Sequence, residues 1–189
     1  MASFDARDPR DMSGQERPEL VVVAEPRRVV RPLAGEEGLP VLVLCAGGGL
    51  AAGPAGACGF NVLPPLTDRR LVELTRSPES TPAAVDAAES FFKSLGYLTE
   101  WVGDGPGLVL GRIVCQLVNE AAFAIGEGVG SPEDVDTGMT LGLNHPRGPV
   151  ESGREIGFDH VLAVVDGLFD EYHDPRYRAA PLLRRGAIE

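Results

Sequence analysis

Lysine occurs once in this sequence of 189 residues, at Lys93, and the other basic side chains are arginines. That skew reads as a bias of genome composition, not as a function. Cations are scarce overall: 17 Lys and Arg face 28 Asp and Glu, for a formal net charge of −11. Nucleic acids and anionic membrane surfaces are bound by Lys/Arg patches, so neither is an expected partner. No apolar run reaches the ~20 residues that span a bilayer. Residues 1–19, "MASFDARDPRDMSGQERPE", hold no apolar stretch of the kind a secretory signal needs. Cysteine is rare and unpaired in pattern: Cys45, Cys58 and Cys115 form no CxxC, which points to free thiols in a reducing, cytoplasmic setting. The three histidines, His145, His160 and His173, are too far apart for a local helical metal motif, and no zinc spacing exists.

Apolar residues are not lacking. They make up 43% of the chain with mean hydropathy near zero, enough for a packed core. Residues 1–18 mix charge with Gly and Pro and read as a disordered tail. Strands are expected at Leu20–Glu25, Val41–Cys45, Leu71–Thr75 and Tyr97–Val102. The double proline in "FNVLPPLTDRR" cannot sit in a central strand. Between the last two strands, Thr81 as N-cap, Pro82 at the first helical position and Gly96 as the stop delimit a helix. After Asp104 the pattern turns helical. "LVLGRIVCQLVNEAAFAIGEG" is apolar nearly all round, as a buried helix is. Its polar residues Arg112, Gln116, Asn119 and Glu120 form one stripe, read first as a seam satisfied by neighbours and second as the lining of a cleft. Ser131 with Pro132 starts the next helix, "SPEDVDTGMTLGL", and two more follow in "GPVESGREIG" and "FDHVLAVVDGLFDEYH". The last carries Val161, Leu162, Val165, Leu168, Phe169 and Tyr172 on one side. His145, in "NHPRGP", reads as a helix-end residue bonded to backbone.

One motif hints at a nucleotide. In "VLVLCAGGGLAAG", Gly47-x-Gly49-x-x-Ala52 follows a strand, as in a dinucleotide-binding turn. Such a turn opens a helix and is followed by an acid ~20 residues on. Here Gly53, Pro54 and Gly56 interrupt the helix, and only Thr67–Asp68 lies near that distance. A tight small-residue turn between strands is the favoured reading, with Gly47 and Gly49 kept as cofactor-binding candidates.

The helical part resembles the C-terminal domain of the 3-hydroxyacyl-CoA dehydrogenase family. The segments that carry the resemblance are "DGPGLVLGRI", "NEAAFAIGEGVGSPEDVDTGMTLGLNHPRGPVE" and "IGFDHVLAVVDGLFDEYHDPRYRAAPLLRR". Upstream, "GFNVLPPLTDRRLVEL" looks like the end of that family's nucleotide-binding domain, where strands read H-F-F-N-P and L-V-E-V. The resemblance covers about residues 56–185. It implies a Rossmann-like partial sheet followed by an all-α domain of the 6-phosphogluconate dehydrogenase C-terminal-like type. The expected division is residues 1–18 as tail, 19–104 as partial nucleotide-binding region and 105–189 as helical domain.

The implied activity is NAD-dependent oxidation of the 3-hydroxyl of an acyl-CoA in fatty-acid metabolism. The family's His takes the hydroxyl proton and a Glu orients the imidazole. Aligning Asn61 on the motif's Asn puts Cys58 at the His position, and Glu73 matches the Glu, across a linker a few residues longer than the family's. The family's substrate-contacting Asn in P-G-F-x-x-N-R falls on Gly111. Asn61 and Arg112 are the remaining substrate-binding candidates. The first half of a nucleotide domain and the family's C-terminal segment beyond residue 189 have no counterpart in this sequence. The chain is therefore expected to be catalytically impaired alone and to hold no cofactor by itself, with NAD implied if the family's function is kept. A homodimer formed through the helical domain is expected, with acyl-CoA as a possible ligand. The alternatives are a non-catalytic dimerisation or acyl-CoA-binding module, or a subunit completed in trans.

Overall fold

A computed structural model describes residues 19–26, 38–66 and 70–188. The expected tail at 1–18 and most of the loop before Val41 lie outside the described residues. Five strands form one sheet in chain order: β1 (Val21–Val23), β2 (Val41–Leu44), β3 (Cys58–Asn61), β4 (Leu71–Thr75) and β5 (Leu98–Trp101). β1, β2 and β3 are parallel, β4 runs antiparallel to β3, and β5 is parallel to β4.

β3 is a strand that the residue-by-residue reading missed. Its sequence, Cys-Gly-Phe-Asn, lacks a β-branched run, and its glycine signals a turn. It is nevertheless buried along its whole length, because packing overrides propensity. Gly59 is required there: a Cβ would stand 2.5 Å from Thr75 Cγ2 and 2.6 Å from Cys45 Sγ. The prolines begin after the strand has ended.

Helix α1 (Pro82–Ser94) crosses from β4 to β5. Thr81 caps it as expected, accepting from Ala84 N at 3.2 Å. Its Ala84, Ala88 and Phe92 pack on one sheet face, against Leu42, Cys58, Phe60, Val72 and Leu74. From β2 to β3 no full helix intervenes; the chain makes a single 3-10 turn at Leu50–Ala52.

The helical part follows as α2 (Leu110–Gly126), α3 (Pro132–Thr137), α4 (Pro149–Ile156), α5 (Phe158–Tyr172) and α6 (Pro181–Arg184). α2 begins two residues later than its apolar pattern starts, because Leu108 is held at φ 47° and Gly107 at φ 72°. Ser131 and Asp134 make a reciprocal cap on α3. The helix expected to run on from there changes into a π turn at Gly138–Gly142. α4 and α5 are separated by Gly157 at φ 91°. On α5, Val161, Leu162, Val165 and Leu168 are buried as expected, whereas Phe169 and Tyr172 are exposed.

The largest core joins α2, α5 and α6 to Ala46 and Leu63 from the sheet region. The closest approach is backbone to backbone: a Cβ on Gly167 would lie 2.6 Å from the Gly47 carbonyl oxygen. The sheet's second face, with Val43 and Cys45, packs on Leu50, Ala57 and Leu108, which come from the turn after β2 and the segment before α2.

Candidate functional site

The sequence candidates converge where β3 and β4 meet the start of α2. In the antiparallel register Asn61 pairs with Glu73. Side chains of directly paired residues share a face, and this face looks toward α2. Glu73 is buried, and its two carboxylate oxygens each accept from Leu110 N at 3.0 Å. A carboxylate at a helix N-terminus satisfies an otherwise orphaned donor and meets the positive end of the helix dipole.

Asn61 is 1% exposed. Its Nδ2 donates to the Gly107 carbonyl at 3.1 Å, while Oδ1 has no partner within the protein. Gly111 lies directly against it: a Cβ at position 111 would be 3.0 Å from Asn61 Nδ2. The Asn61 amide therefore occupies the space into which a side chain at position 111 would grow.

Cys58 is on the other side of the sheet. It belongs, with Phe60, Val72 and Leu74, to the face packed on α1. It is fully buried, donates to the Thr75 carbonyl at 3.1 Å, and burial pushes its thiol up to about 11. Glu73 and Cys58 thus sit on opposite faces of one sheet. Burial likewise drives Cys45 and Cys115 up to about 12, which leaves both as inert, neutral thiols.

Arg112 points toward the C-terminal segment. Its guanidinium carbon lies 5.0 Å from the Tyr172 ring centroid and 5.3 Å from that of Tyr177, and it donates to both hydroxyls. Further along the same stripe, Gln116 donates to the Arg176 carbonyl at 3.2 Å. Asn119 donates to the Arg178 carbonyl at 3.0 Å and accepts from Ala180 N at 2.8 Å. These three side chains clasp residues 172–180, while Glu120 remains exposed.

The glycine turn has its own internal occupant. Leu50 N donates to Asp104 Oδ1 at 2.7 Å and Ala51 N to Asp104 Oδ2 at 3.3 Å. A Cβ on Gly49 would press on that carboxylate at 3.0 Å, and one on Gly47 would strike the Pro26 carbonyl oxygen at 2.5 Å. The lack of side chains here serves contacts within the chain. As folded, the turn does not fit a dinucleotide, whose pyrophosphate needs those same backbone donors. Asp104, 54 residues from its partner Leu50, carried no sequence signal beyond its place at the end of the sheet region.

Residues 107–187 match the family model of the 3-hydroxyacyl-CoA dehydrogenase C-terminal domain. A 3-hydroxybutyryl-CoA dehydrogenase of Clostridioides difficile is 35% identical over 132 residues, which is 70% of this chain and 47% of that protein. The chain belongs to the 3-hydroxyacyl-CoA dehydrogenase family, through its C-terminal domain. A 3-hydroxyadipyl-CoA dehydrogenase of Escherichia coli is 32% identical over 63% of this chain and 25% of its own length. The crystal structure of a Ralstonia eutropha (S)-3-hydroxybutyryl-CoA dehydrogenase superposes with a TM-score of 0.68 at 31% identity, covering 88% of this chain and 64% of that one. The chain spans about half the length of the curated 3-hydroxybutyryl-CoA dehydrogenases that it matches. The small mixed sheet and the helices after it superpose on part of that enzyme, and the helical part is the one that matches the family's C-terminal domain. Among the described residues no helix is long and apolar enough to cross a membrane, and no cluster of three or more metal-ligating side chains occurs.

Proposed function

We propose that this chain is an acyl-CoA-binding member of the 3-hydroxyacyl-CoA dehydrogenase family that does not by itself carry out the dehydrogenase step. One observation carries the reading. Glu73, at the position of the family's orienting carboxylate, has both oxygens turned to Leu110 N at the start of α2, and the residue aligned with the family's base lies across the sheet from it. A general base works when its pKa lies near the operating pH. A thiol near 11 is ionised to only roughly one part in ten thousand at pH 7. Gly111 contributes no side-chain donor, and Asn61 fills the space beside it. Were the family's function retained, the reaction would be NAD-dependent oxidation of the 3-hydroxyl of an acyl-CoA, with base and cofactor site supplied by another chain.

The test is NADH absorbance with acetoacetyl-CoA at high protein concentration, beside a binding titration of each ligand. The expected result is no turnover above buffer, with acyl-CoA bound and NADH not. Turnover above ~1 s⁻¹, within tenfold of a common enzyme rate, would show that the pair has a working equivalent.

A second reading concerns assembly and holds alongside the first: a homodimer through the helical domain. Its support is the exposed apolar set Ile113, Val129, Leu141 and Leu143, of which Leu141 is 82% exposed. An interface over the helical part would take these side chains out of water. A cytoplasmic setting fits the three unpaired cysteines.

A further inference from the structure

The start of α2 departs from what its sequence asks for. Gly105 followed by Pro106 is a helix start, because glycine is tolerated as a cap and proline is favoured at the first helical position. From Leu108 on, the residues are those of an apolar helix. Yet α2 begins only at Leu110. Leu108 is buried and stands in the left-handed region at φ 47°, which disfavours a leucine by about tenfold. Gly107 is left-handed too, at φ 72°. Arg112 N therefore reaches back five residues, to the Gly107 carbonyl at 3.2 Å, where a regular helix reaches back four. One residue is bulged out of the first turn, and three groups of the sheet region hold the bulge. Gly107 N donates to the Cys45 carbonyl at 2.8 Å. Asn61 Nδ2 donates to the Gly107 carbonyl at 3.1 Å. Glu73 takes Leu110 N with both oxygens at 3.0 Å. Backbone strain persists only where surroundings over-determine it, and such places cluster at clamps and switches.

We propose that α2 has two starts: a clamped one at Leu110, as in this structure, and an extended one at Pro106, and that passage to the second releases Glu73 and Asn61 together. In a helix begun at Pro106, Leu110 N bonds the Pro106 carbonyl and Arg112 N the Leu108 carbonyl. Leu110 N then no longer needs Glu73, and the Gly107 carbonyl turns into the helix, away from Asn61. The extended start relieves Leu108 and adds about one turn. It gives up the bonds that Gly107 makes with Cys45 and Asn61, and it places a glycine inside a helix, which is unfavourable. Opposing changes of this size keep both starts within reach, the extended one as a minor population. Glu73 consequently has two occupations. Clamped, it caps a helix. Released, it is an acceptor for a donor entering between β4 and α2, and any donor that it binds favours the extended start. The switch is a property of the fold and does not depend on acyl-CoA binding.

The experiment is nuclear magnetic resonance on the full, isotope-labelled chain. Asn61→Ala combined with Glu73→Leu removes two of the three clamps. In that variant the Cα shifts of residues 106–109 are expected to become helical. The Leu110 amide should exchange with solvent within about threefold of the wild-type rate, because the Pro106 carbonyl has replaced the carboxylate. Unchanged shifts at 106–109 would overturn the proposal, and a single fixed start would also leave the Leu110 amide orphaned, its exchange raised about tenfold or more. Where the double variant does not fold, the wild type decides. Relaxation dispersion, which reads helix shifts on the μs–ms scale, should show an exchange contribution at residues 107–112 whose minor state has helical shifts. Leu108→Gly suits the left-handed region and disfavours the helix, so it should abolish that contribution. A flat wild-type profile, or dispersion that Leu108→Gly leaves unchanged, would overturn the two starts.

Discussion

At the scale of single residues, the same few side chains that a family alignment marks as functional are here tied into the fold. Cys58 makes the point testable. Restoring the family's histidine by Cys58→His places an imidazole against Phe92, Ala84 and Ala88, on the face away from Glu73. We expect no NADH oxidation from that variant. We also expect a stability loss of about 2 kcal/mol, from overpacking and from burying a polar ring, read as a shift of the urea midpoint. A dehydrogenase rate that appears with the histidine would mean that position 58 does reach the substrate side. His160 gives a second handle. It is buried near the start of α5 with Nε2 unpartnered, and burial lowers its pKa below the ordinary 6.5. The unfolded chain therefore takes up this proton first. The stability that comes from keeping the ring neutral is complete above about pH 6.5 and is lost as pH falls below it. Between pH 7.5 and 5.5 the wild type should lose more stability than His160→Gln does, measured by urea unfolding. Equal losses would mean that His160 is protonated in the folded chain.

At the scale of elements, the glycines decide which pieces fit. Gly167 on α5 meets the Gly47 turn backbone to backbone. Gly167→Ala should cost about 2–3 kcal/mol, visible as a lowered thermal midpoint, while Gly138→Ala, where a Cβ meets nothing within 4 Å, should not lower it. Equal midpoints for the two variants would show that the turn can move away from α5. Helices and strands with a clear period were legible in the sequence: α1 with its Thr81 cap, β2, β4, and the apolar faces of α2 and α5. β3 was not legible from its own residues, because four residues containing a glycine have no period to read; only the Asn61 motif marked it. The π turn at Gly138–Gly142 was hidden for a similar reason, since its residues continue the helical pattern of α3. At the site, Glu73 and Asn61 could be named from the motif. What they touch could not, because their partners Leu110 and Gly107 lie 37 and 46 residues away. The clasp of Asp104 on the glycine turn was illegible for the same reason: a carboxylate far along the chain occupies donors that a local motif leaves open.

At the scale of the molecule, the apolar side chains left in water on α2 and on the turns after α2 and α3 ask for a partner. Light scattering at micromolar concentration should give about twice the 20.0 kDa of one chain, since a two-fold pairing is the commonest way to cover such a surface. Leu141→Ser with Leu143→Ser should shift the population toward the single-chain mass without loss of helix signal. A wild type that stays at the single-chain mass would mean that these leucines are simply solvated. The core shared between Ala46, Leu63 and α5 also sets a timetable for synthesis. The Gly47 turn leaves the ribosome about 120 residues ahead of Gly167, on the order of ten seconds at the usual elongation rate. For that interval the turn at the end of β2, with Ala46 and Leu63 beside it, has no cover, so the edge of the nascent sheet from which α2 will lead away stays exposed to other polypeptides until α5 has been made.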